Sequence, residues 1–142
     1  MGANDPNFPT SVKSMTAADQ YLAQSAAAKA NPTFVAKTGS PTLTAAETVN
    51  TVVEVSGGST STVTLPAAAD IIARMQALHE GAAVGDVASL ELVNSNSGTM
   101  TVTPGANTTF ASVGGGSLTT LLTGRYIVKW ATATTVTLTR RG

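Results

Sequence analysis

The chain of 142 residues contains no cysteine and a single histidine, His79. The first absence excludes disulfides and thiolate metal sites. It also fits synthesis in a reducing cytosol. For a hydrolytic triad or a zinc site, that histidine would need a nucleophile or further ligands beside it. Charged residues are only 11% of the chain, and Lys plus Arg equals Asp plus Glu, giving a formal net charge of +0. Bulk electrostatics therefore do not draw it to nucleic acid or an anionic membrane. Aromatics total 4%, few for a carbohydrate-binding surface, which usually exposes several rings. No stretch approaches the roughly 18 apolar residues of a membrane span. The start, Met1-Gly2-Ala3-Asn4-Asp5-Pro6, lacks a charged head followed by an apolar run, so no secretory signal is expected.

What remains is apolar, small and hydroxyl-rich. Threonine alternates with aliphatics through residues 60–65, 100–103 and 135–139, the period of two expected of a sheet with one buried face. Residues 50–55 read as a strand with Val53 and Val55 on one face. Ser56-Gly57-Gly58-Ser59 reads as a turn, and residues 60–65 as the returning strand of a hairpin, with Val63 and Leu65 inward. The period then changes. Pro66 suits a first helical position, Ile71, Ile72, Met75 and Leu78 recur at helical spacing over residues 67–79, and Gly81 closes the helix. This predicts one short helix across an open end or face of the sheets.

Strands are expected again at residues 88–94, 99–103, 109–111, 118–122, 125–131 and 135–139. The first two are separated by Asn96-Ser97-Gly98, and Gly114-Gly115-Gly116 reads as a flexible loop. Tyr126, Val128 and Trp130 share one face and read as core rather than as a sugar-stacking platform. Seven or eight strands at regular spacing indicate a sandwich or barrel. No period of 20–50 residues is evident, which argues against a solenoid.

The first 36 residues differ. Pro6 and Pro9 keep residues 4–14 extended, and an Ala-rich helix is expected over residues 16–30, capped by Thr16 and stopped by Asn31-Pro32. Its apolar stripe is thin, so it needs a partner surface, either its own sheet or another chain. The expected organisation is an N-terminal arm, 1–36, and a β-sandwich domain, 37–142. The fold class is mainly β: a jelly-roll-like sandwich with one short inserted helix, preceded by an extended and partly helical arm.

No catalytic constellation emerges. The eight carboxylates form no D-x-D cluster or EF-hand loop. Glu54 and Glu91 could approach across strands, but so could any two strand carboxylates. His79 sits near a helix C-terminus, where a partly charged ring is favourable. The glycine triplet lacks the lysine and helix start of a phosphate loop. No catalytic, cofactor-binding or metal residue is therefore assigned, and no enzyme activity is expected.

Residues 42–140 resemble small β-structured virion proteins of tailed bacteriophages. The resemblance rests on the Thr-rich segment running into Leu65-Pro66-Ala67-Ala68-Ala69-Asp70-Ile71-Ile72, then Val84-Gly85-Asp86, Leu90-Glu91-Leu92-Val93-Asn94 and Gly98-Thr99-Met100-Thr101-Val102. Gly124-Arg125-Tyr126-Ile127-Val128-Lys129-Trp130 followed by Thr-Val-Thr-Leu completes it. It implies a capsid decoration, or cement, protein made in the host cytoplasm and carried on the outer surface of the virion. Its partners would be the major capsid protein and itself, as a homotrimer at local threefold axes, with no nucleic acid, membrane or cofactor. Phe8, Val12, Met15, Tyr21 and Leu22 are the expected arm anchors on the shell or on a neighbouring protomer. The alternative is a tail-fibre or spike knob that binds a host receptor or glycan.

Overall fold

The computed structural model describes residues 32–112 and 114–141. The expected tail and Ala-rich helix lie outside them. The described body opens with β1 (Thr33–Thr38). Residues 33–36, placed in the arm by the sequence, are thus the first part of a strand. There follow β2 (Thr51–Ser56), β3 (Ser61–Thr64), α1 (Ala68–Leu78), β4 (Val87–Asn94), β5 (Met100–Thr103), β6 (Thr108–Phe110), β7 (Ser117–Leu118), β8 (Thr123–Thr132) and β9 (Thr135–Arg140).

The body is mainly β, with two sheets. The larger has the strand order β1-β2-β4-β8-β9-β6 and the smaller β3-β5-β7. β2 and β3 do not form the expected hairpin. Both edges of β2 are already taken, by β1 on one side and β4 on the other, both parallel. β3 therefore has no edge of β2 to join, and the chain passes through Gly57 (φ 88°) and Gly58 into the second sheet. The two strands face one another through side chains, as an arch. β4 and β5 make a second arch, because β4 is flanked by β2 and β8. β3 and β5 then pair in parallel.

The arches stack. Thr51 lies beside Leu90 in the large sheet and Ser61 beside Met100 in the small one, the same offset of 39 residues in both. A shorter arch precedes them: β1 lies along β2, and Thr42 bridges Thr64. The fourth arch, β7 into β8, runs the opposite way and lies antiparallel to β4 and β5. A jelly roll is an antiparallel architecture. Here β1/β2, β2/β4, β3/β5 and β6/β9 are all parallel, so the strand pairing is of another kind.

Between the sheets lies the core. Val53 and Val55 of β2, Leu90 and Leu92 of β4, and Tyr126, Val128 and Trp130 of β8 meet Val63, Met100, Val102 and Leu118 of the small sheet, all buried. Each buried aliphatic contributes roughly 1.5–3 kcal/mol over its exposed state. α1 begins after Ala67 and ends before His79, within a residue of expectation at each end. Pro66 therefore precedes the cap instead of opening the helix. His79, rather than Gly81, is the C-cap, its N–H bonding the Met75 carbonyl. Ala68, Ile71, Ile72 and Met75 are buried and α1 packs against β9, whereas Leu78 is largely exposed.

Two predicted features change. β7 ends at Leu118, and the chain then turns through Leu121 (φ 60°) instead of continuing as a strand to residue 122. The glycine triplet is pinned. The Tyr126 hydroxyl donates to the Gly115 carbonyl at 2.7 Å, and the Val102 N–H donates to the Gly116 carbonyl. A Cβ on Gly116 would meet that Val102 strand's own carbonyl oxygen at 2.4 Å. Close approach, not looseness, is why glycine stands there.

Candidate interaction surface

The arch tips hold the polar side chains that shape the surface. Asn94 ends β4 fully buried. Its Nδ2 donates to the carbonyls of Gly98 (2.8 Å), Leu118 and Thr119 (both 3.0 Å), so it clasps its own arch and the reversed one. Its Oδ1 accepts from the backbone and side-chain nitrogens of Asn96. Asn96, also buried, binds the preceding arch: its Nδ2 donates to Ser61 Oγ at 2.8 Å, and its Oδ1 accepts the Gly58 N–H at 3.0 Å. Gly98 lets the arches close up, since a Cβ there would sit 2.0 Å from the Ser59 carbonyl oxygen. Three successive arches are thereby locked tip to tip.

On this frame the small sheet turns Thr62, Thr101 and Thr103 to solvent, with Thr42 exposed at one edge and Ser117 at the other. Thr62 lies beside Thr101 and Thr64 beside Thr103. These residues are hydroxylated and uncharged, and the Arg140 guanidinium donates to the Ser117 carbonyl at the edge. Exposed apolar residues occur elsewhere: Phe34 on β1 (61% exposed), Leu121 and Leu122 on the reversed arch, and Val84 and Val87 before and at the start of β4.

β1 is tethered from beneath. Lys37 pairs with Glu47, which also accepts from the Thr44 N–H (2.9 Å) and Thr44 Oγ1 (3.0 Å). The Glu47 N–H in turn bonds Thr44 Oγ1, a reciprocal capping box. The Lys37 hydrogen bond, then the Thr44 N–H, hold the Glu47 carboxyl below the usual carboxylate range. Burial pushes the Tyr126 hydroxyl up, partly offset by Arg140.

The expected anchors Phe8, Val12, Met15, Tyr21 and Leu22 lie outside the described residues. Glu54 and Glu91 share the outer face of the large sheet but serve different partners: Glu54 Oε2 accepts from Ser95 Oγ, and Glu91 pairs with Arg125 at 2.7 Å. Tyr126 and Trp130 are buried as read, at 2% and 7% exposure. Among the described residues no group of three His, Asp or Glu side chains could hold a metal ion, and no helix is long and apolar enough to cross a membrane.

Sequence reasoning missed the Asn94–Asn96 clasp, the Thr44–Glu47 box and the arch repeat. The box was available as Thr44-Ala45-Ala46-Glu47. So was the repeat, in Ser59-Thr60-Ser61-Thr62-Val63-Thr64 set against Gly98-Thr99-Met100-Thr101-Val102-Thr103. The clasp had no signal beyond turn-forming asparagines. No protein-family model, curated protein or solved structure matches the chain.

Proposed function

We propose that this chain is a structural protein of a tailed-bacteriophage virion, a capsid decoration protein that binds the outer surface of the major capsid protein shell and stiffens it. The observation that carries this reading is the clasped stack of arches: buried amides lock the body tip to tip, while its outer faces offer hydroxyls, scattered apolar side chains and a few charges. Such a body suits a fastener that must resist deformation. Phe8, Val12, Met15, Tyr21 and Leu22 would supply grip as an arm that orders on its partner. Several weak arms acting on one shell reinforce each other through effective concentration.

Because β1 starts at Thr33, the arm is tested by removing residues 1–31. The truncated chain should retain its β circular dichroism and lose binding to undecorated shells. Undiminished binding would refute the arm's role.

A second reading, a tail-fibre or spike knob, is favoured by the parallel stacking, since a stack that is open at β1 among the described residues could continue a fibrous segment. Immunogold labelling separates the two. Label across the head supports decoration, and label confined to the tail, together with a hit on a glycan array, supports the knob.

A further inference from the structure

We propose that the free edge of β1 pairs with β1 of a second copy of this chain, antiparallel about a twofold axis through Ala36. The backbone pattern identifies that edge. Thr33 donates its N–H to the Asn50 carbonyl, and Gly39 donates to the Ser56 carbonyl, both toward β2. Bonding direction alternates along a strand. Val35 and Lys37 therefore also face β2, and the N–H and C=O groups of Phe34, Ala36 and Thr38 point the other way. Among the described residues no strand lies beside them.

Among the described residues the edge carries none of the usual protection. Over six residues it has no proline, no bulge and no outward charge. Its one lysine points the other way, to Glu47. The side chains on the exposed parity, Phe34, Ala36 and Thr38, are uncharged, and the chain's net charge is +0, so two copies meet there without like-charge repulsion. Pairing through Ala36 sets Phe34 opposite the second copy's Thr38 and Ala36 opposite itself. Every free donor and acceptor of the three residues is used on both copies, in about six hydrogen bonds. Phe34, 61% exposed in the single chain, gains cross-strand cover. The chain already makes this type of junction internally: β4 is parallel to β2 on one side and antiparallel to β8 on the other.

The contact is isologous and closes with two copies, leaving no β1 edge for a third. It stands independently of the capsid reading, and it replaces the threefold self-association that the resemblance implies. The test uses the full chain. Sedimentation equilibrium should show a reversible monomer–dimer equilibrium, and amide exchange at Phe34, Ala36 and Thr38 should slow as concentration rises. Ala36→Lys and Ala36→Glu each place like charges across the axis and should weaken the dimer about tenfold or more. Mixed in equal amounts, the two variants should restore it. Both substitutions lie at an exposed position whose N–H is outside the β1/β2 ladder, so circular dichroism of each variant should match the parent. A chain that stays monomeric at every concentration, a trimer, a dimer indifferent to both substitutions, or protection of the three amides that ignores concentration would each overturn the proposal.

Discussion

Asn94 ties two arches together with one amide. It occupies a β-strand position whose parity faces inward, so it is buried where Leu90 and Leu92 are buried, yet both polar atoms of its side chain are engaged. An amide that bridges buried carbonyls is worth more in its removal than in its presence, because the abandoned partners remain out of water. Asn94→Ala should therefore cost about 2–4 kcal/mol, read as a fall in the urea midpoint at unchanged slope. Thr101→Ala, on the exposed face two residues beyond the arch, should stay within about 0.5 kcal/mol. Neither role could be told from the residue type. Asparagine near serine and glycine reads as a turn former whether its side chain faces solvent or clasps a neighbouring arch. The inward apolar residues, by contrast, were plain from alternation, since a period of two needs only adjacent positions to be visible.

At the scale of elements, β1 and the 44–49 turn behave as one unit through Lys37 and Glu47. The Glu47 carboxyl titrates lower in the folded chain than in the unfolded one, so its charged form favours folding. That contribution is fully present above the ordinary carboxylate pKa and is lost as pH falls through the lowered value. Acidification should loosen β1 and the capping turn while α1 keeps its protection, seen by following amide resonances of Val35 and Thr44 against those of Ile72. Glu47→Gln should remove that local pH dependence. Element type was largely legible: the helix was placed to within a residue, and β2, β4, β5, β8 and β9 were found close to their bounds. Their partners were not. A glycine-containing connection between two alternating segments looks the same whether it closes a hairpin or an arch. The deciding fact, that β2 and β4 have both edges occupied, belongs to strands distant in sequence.

For the whole molecule, sequence gave the mainly β class but not the stacking, because successive arches are joined by returns of very different length. One is short, spanning 43–50, and the next contains α1. Unequal returns hide a repeat that the sheets themselves keep in strict register. The surface was least legible, since hydroxyl-bearing faces carry no spacing that names a partner. Parallel pairing across long returns also delays closure, because loop entropy is lost before distant contacts form. Refolding by stopped-flow fluorescence of Trp130 should accordingly occupy milliseconds to seconds, well behind helical domains of this size. The reversed arch has its own bearing on biosynthesis. β4 and β5 find their last neighbours in β8 and β7, which follow them in sequence. Until those residues leave the ribosome, a nascent chain carries two unsatisfied strand margins. Its exposure to sticking lasts for as long as the reversed arch is still to be made.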